Sequence, residues 1–154
     1  MVNNMPLVTV INIKIDVSKL DWSTGVASHT VTTPVKICLD YSRSYELALS
    51  QVISSGLTKP HVLDIGTTLT SGGILDDCMF PCLQRVLLKK GNDNVRFENR
   101  DYFPVTPQEI SVFSIFLKGN KSAKSSFDGK TLYLSLILRQ CHTSVEQPGN
   151  STGS

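Results

Sequence analysis

Hydrophobic residues recur at every second position in several short stretches of this 154-residue chain. In the first stretch Leu7, Thr9, Ile11, Ile13, Ile15 and Val17 share one phase, and Asn12, Lys14 and Asp16 take the other. A period of two sends successive side chains to opposite faces, which predicts a strand with one buried face. The period returns at Val35, Ile37 and Leu39, led by Pro34. Proline suits the first residue of a strand because no ladder hydrogen bond is lost there. The clearest case follows an Asp128-Gly129 corner, where Leu132, Leu134, Leu136 and Leu138 alternate with Tyr133, Ser135, Ile137 and Arg139.

The intervening segments are less regular. "SYELALSQVIS" sets Tyr45, Leu47, Leu49 and Ile53 on one strand face; a helix is compatible with Glu46, Leu47, Leu49 and Val52, but the strand is preferred. Residues 54–81 are punctuated by "SSG", "KPH", "IGTT" and "SGG", and read as short strands and loops. "CLQRVLLKKGNDNVRFEN" reads as a hairpin, with Leu83 to Leu88, a "GNDN" turn, then Val95 and Phe97. Thr106, Pro107 and Glu109 make a capping box, whereas Phe113, Ile115 and Leu117 alternate. One helical turn followed by a strand satisfies both signals. "SKLDWSTGVASHT" is a polar connection in which Trp22 is either an anchor packed on the domain or a contact for a partner.

Seven or eight short strands with at most a helical turn define an all-β chain, an antiparallel β-sandwich. A strand with one apolar face needs a second sheet to cover it, so the leucine row 132–138 belongs to the core. The expected organisation is a flexible N-terminal arm (1–6), one sandwich domain (7–142) and a disordered polar tail (143–154).

Composition narrows the partners. The net charge of +2 creates no overall basic field, so neither nucleic acid nor an anionic membrane is an expected partner. No apolar run approaches the roughly 20 residues that span a bilayer, and the N-terminus lacks a basic leader. Cys38, Cys78, Cys82 and Cys141 are expected to be free buried thiols. Sequons at Asn120 and Asn150 matter only in a secreted chain.

No constellation spells out a reaction. His29, His61 and His142 have no nucleophile signature beside them and read as surface histidines without a catalytic role. Cys78 and Cys82 have a zinc-ligand spacing that Cys141 and His142 could complete, yet adjacent strand residues point apart, and buried thiols are preferred. Asp76-Asp77 beside Gly72-Gly73 lacks the dense oxygen pattern of a calcium loop. Neither "SGG" nor "KKGN" has the spacing of a phosphate loop. Trp22, Tyr102 and Phe103 could stack on a sugar, but nothing in the sequence brings them together. No enzyme, cofactor or metal is expected.

The order of elements from Pro81 to Arg139 is distinctive. A short strand centred on Arg85-Val86 leads through a polar turn to a strand ending at the Phe103-Pro104-Val105 corner. A Glu109-Ile110 strand, a polar turn and a strand led by Gly129 and closed by Arg139 follow. With Tyr45-Glu46-Leu47-Ala48-Leu49 upstream, this pattern over Val35 to Arg139 is similar to the penton-like minor capsid proteins of Polinton/Maverick elements, adintoviruses and related adenovirus-like or adomavirus-like DNA viruses. The chain departs from that family at Ser44-Tyr45-Glu46, where relatives carry Gly-Glu-Trp, and many relatives have a further C-terminal portion.

The resemblance implies a single jelly roll of about eight strands that forms a homopentamer at the five-fold vertices of an icosahedral shell. It also implies contact with the major capsid protein and assembly in the host cell, in the nucleus. Ring contacts need apolar side faces, for which Trp22, Tyr102, Phe103, Tyr133 and Ile137 are the candidates. The competing function class is a non-catalytic β-sandwich binding module, such as a lectin or a trimeric ligand of the tumour-necrosis-factor or complement type.

Overall fold

The computed structural model describes residues 8–23, 25–70, 82–106, 108–119 and 130–141. Among the described residues nine strands follow one another: β1 (Val8–Asp16), β2 (Val26–Cys38), β3 (Tyr45–Leu57), β4 (His61–Thr67), β5 (Cys82–Leu88), β6 (Gly91–Arg96), β7 (Phe103–Val105), β8 (Glu109–Lys118) and β9 (Thr131–Gln140). A single 3-10 turn, Val17–Lys19, is the helical element among the described residues. The expected arm, the tail, Cys78, Asp76-Asp77, His142 and both sequons lie outside the described residues.

The strands form two antiparallel sheets. One runs β1-β9-β3-β6, with β7 also on β3; the other runs β2-β8-β4-β5. Within them β1 pairs with β9, β2 with β8, β3 with β6 and β4 with β5. These four pairs are nested: one long antiparallel ribbon, folded at β4–β5, is rolled so that its pairs alternate between the sheets. The added contacts of β9 with β3 and of β8 with β4 close each sheet. This is a jelly roll, the double-sheet solution to covering strand faces.

The core lies between the sheets. Ile11, Ile13 and Ile15 of β1 and Leu132 to Leu138 of β9 line one wall, and Leu63, Ile65, Phe113, Ile115 and Leu117 line the other. Each side chain so buried stabilises by roughly 1.5–3 kcal/mol. The leucine row occupies the centre of its sheet, flanked by β1 and β3 over its length.

Four sequence expectations are corrected. Residues 82–97 are not a hairpin. β5 joins one sheet and β6 the other, and Gly91, at φ +84, allows the abrupt crossing between layers. "GNDN" therefore begins β6 instead of turning. In β3 a register shift between Leu49 and Gln51 reverses the phase, so Val52 is buried and Ile53 faces out. In β2 a shift between Thr32 and Ile37 leaves Val35 75% exposed, and the strand begins eight residues before Pro34. The capping-box Glu109 is already the first residue of β8, so strand and not helix holds Glu109 and Ile110, while Pro107 lies outside the described residues.

Candidate subunit-contact surface

The nested pairing sorts the connections. The chain passes from β1 to β2, β3 to β4, β5 to β6 and β8 to β9 at one end of the sandwich, and from β2 to β3, β4 to β5 and β6 through β7 to β8 at the other. The flat outer faces lie between these ends.

Trp22 is 8% exposed and packed in the core, and its indole N–H donates to the Val17 carbonyl at 3.2 Å. It anchors the β1–β2 connection. Tyr102 lies under the Arg139 guanidinium, 3.4 Å from the ring centroid, and Arg139 donates to Glu46 at 2.6 Å. Phe103 is half-buried in β7 against the core. Tyr133 and Ile137 point outward from β9, and Tyr133 is 45% exposed.

Register shows what surrounds them. Across the outer face, Val10 lies opposite Ile137, which lies opposite Ala48. Two residues along stand the polar Asn12, Ser135 and Gln51, and four residues along come Lys14, Tyr133 and Ile53; on the other side of Ile137 lie Val8 and Arg139. Side chains directly opposite on antiparallel strands sit about 5 Å apart. Val8, Val10 and Ile137 thus make one apolar patch, and a polar row, in which the Ser135 hydroxyl donates to Asn12, separates it from the pair Tyr133 and Ile53. Sequence reasoning had placed Asn12, Lys14 and Asp16 on this face, and continuing that phase backwards would have found Val8 and Val10. Ile53 was hidden by the bulge.

The other sheet has its own outward apolar residues: Val62 opposite Leu87, both well exposed, and Val112 on β8. Beside them Asp64 is buried on the outer face under Arg85, which donates to both of its carboxylate oxygens at 2.7 and 3.0 Å. A fork-to-carboxylate pair of this geometry is directional and strong.

The remaining chemistry is structural. His61 is buried at the start of β4, and burial, with the Lys59 charge, holds its pKa below the ordinary value. His29 is lowered in the same way by burial. Cys82 is buried as expected, but Cys38 is exposed and Cys141 half-buried, because both sit where their strands leave the sheets. Burial and the nearby Glu46 carboxylate push the Cys141 thiol up, which keeps it protonated and unreactive. Among the described residues no group of three or more His, Cys, Asp or Glu side chains converges as metal ligands do.

No family model matches the chain, and neither does any curated protein. Among solved structures, one of the infectious bursal disease virus Gx strain aligns over 89% of this chain and 37% of its own, at 10% identity and a TM-score of 0.29. The T13 viral particle of the same virus aligns over 89% and 32%, at 14% identity and a TM-score of 0.29. The chain thus spans about a third of each. A TM-score this low bears on neither fold nor function; strand order alone establishes the jelly roll.

Proposed function

We propose that this chain is a structural protein of a virion, a penton-like capsid component that assembles as a pentamer at the five-fold vertices of an icosahedral shell, beside the major capsid protein. The observation that carries the reading is the pair of apolar outer faces on an otherwise closed jelly roll. Isolated exposed apolar residues are ordinary, but adjoining ones, Val8, Val10 and Ile137 on one face and Val62 and Leu87 on the other, mark contact surfaces. The strand-and-corner resemblance from Val35 to Arg139 supports the same reading.

A ring is built from heterologous contacts, in which one face of a subunit meets a different face of the next. The patch of Val8, Val10 and Ile137 and the pair Val62 and Leu87 lie on opposite outer faces of one sandwich. Setting one against the other buries both, and a rotation of one fifth of a turn between neighbours closes the repeat into a ring. The mixed surface, neither charged nor strongly apolar, suits a contact made after the subunit has folded.

Negative-stain microscopy and light scattering of the purified protein test this. Five-fold rings, alone or with the shell protein, are the expected result. Ile137→Lys and Leu87→Lys should each give folded monomers with stability within about 0.5 kcal/mol of the parent. Monomers at every concentration, salt and pH would overturn the proposal, and trimers that capture glycans would favour the binding-module reading.

A further inference from the structure

The modest net charge conceals a sorting that the fold carries out. Six of the eight lysines among the described residues lie at the end where β1 connects to β2. Lys19 is in the 3-10 turn, Lys59 between β3 and β4, Lys89 and Lys90 between β5 and β6, Lys118 closes β8 and Lys130 precedes β9. Among the described residues three aspartates share the connections at that end, each engaged locally, and Asp64, in register with Lys118, is held by Arg85. Asp16 accepts from the Ser18 hydroxyl, Asp21 from the Ser23 N–H and Asp93 from the Lys89 and Asn94 N–H groups. Lys19 reaches Asp16 at 3.7 Å, but no carboxylate of the described residues pairs with Lys59, Lys89, Lys90 or Lys130.

The opposite end differs in kind. Among the described residues it holds Arg43, Arg100 and Arg139 with Lys36, matched by Asp40, Glu46, Glu98, Asp101 and Glu109, and three of these cations are in ion pairs. The molecule is electrically lopsided, basic at one end and balanced at the other.

We infer that the lysine end binds the phosphate backbone of double-stranded nucleic acid without regard to sequence. Four strands at about 4.8 Å spacing make each sheet end roughly 19 Å wide, a width over which a duplex presents about eleven charges at one per 1.7 Å. Lysines on separate connections are point charges that follow a backbone, whereas reading bases calls for the arginine fork, and the described arginine nearest this end, Arg85, has its fork occupied by Asp64. Unpaired bases and sugars are held by stacking on exposed aromatic rings. Among the described residues of these connections the one aromatic, Trp22, is buried, which favours a duplex over a single strand or a glycan. This inference does not depend on ring assembly.

Fluorescence anisotropy with a 25-base-pair duplex, its single strand and heparin, in about 50 to 200 mM salt, is the test. Four phosphate contacts give a slope of log affinity against log salt near −3.6, an affinity loss of about 150-fold over that range. The Lys89→Ala, Lys90→Ala double variant should have a slope near −1.8 and lose about 12-fold, whereas Lys36→Ala at the other end should leave the slope unchanged. Circular dichroism confirms that each variant is folded. Two duplexes of unrelated sequence should bind alike. Absence of duplex binding at 50 mM salt, an unchanged slope in the double variant, or tighter binding of single strand or heparin would overturn the inference. Failure of the pentamer reading would show separately, in the images.

Discussion

At the residue scale, three buried side chains carry more of the structure than their surroundings announce. Trp22 fills core volume and satisfies the Val17 carbonyl at once. Trp22→Phe should cost about 1 kcal/mol for the lost hydrogen bond, and Trp22→Ala about 3–5 kcal/mol for the cavity, both measured by urea denaturation. Asp64 is enclosed while Arg85 is half exposed, with side-chain exposures of 6% and 51%. Removing Arg85 therefore strands a buried carboxylate. A double-mutant cycle on Asp64→Asn and Arg85→Gln should give a coupling of roughly 1–3 kcal/mol in favour of the pair. His61 makes stability depend on pH. Its folded pKa lies below the ordinary 6.5 because burial and Lys59 oppose the cation. The unfolded chain then binds the proton more readily, so this contribution is complete above about pH 6.5 and is lost as pH falls below it. The urea midpoint should fall between pH 7.5 and about pH 5, and fall less in His61→Gln; an equal fall in both would reject this role.

At the element scale, the leucine row and the bulged β3 make opposite demands on the sequence. β9 keeps one phase through Leu132, Leu134, Leu136 and Leu138, all buried, so its pattern could be read directly. Leu136→Ala should destabilise by about 2–5 kcal/mol, seen as a lower urea midpoint. β3 changes phase at Ser50, whose hydroxyl donates to the Ser135 carbonyl and fastens the bulge to β9. Strict alternation therefore assigned Ile53 to the core and overlooked Val52. Val52→Asp should abolish folding, while Ile53→Asp should leave the monomer's stability within about 0.5 kcal/mol, as judged by circular dichroism and denaturation. The apparent hairpin at 82–97 failed for a related reason. Two apolar runs around a glycine look alike whether the chain turns back in one sheet or crosses to the other, and only the partners β4 and β3 distinguish them.

At the scale of the whole molecule, rolling a nested ribbon does two things that no single strand reveals. It gives the sandwich two outer faces, each with apolar side chains drawn from strands far apart in sequence: Val10 beside Ile137, and Val62 beside Leu87. It also gathers lysines from separate connections at one end. The proposed ring contact and the proposed duplex contact thus occupy different parts of the surface, and variants at Ile137 and at Lys89 and Lys90 should separate them. Ile137→Lys should abolish ring formation in scattering experiments, and substitution of the two lysines should leave it intact.

What the chain by itself determined was the class of fold and much of its core, because burial on one side of a strand writes a period of two into the order of residues. β1 and β9 were legible on those grounds, whereas His61, read as a surface histidine, is buried. What only the tertiary structure decided was which strands share a sheet, where bulges reverse a face, whether Trp22 points in or out, and how charges and apolar residues collect on the surface. These depend on contacts between residues separated by tens of positions, such as Val8 with Arg139, and local periodicity contains no term for them.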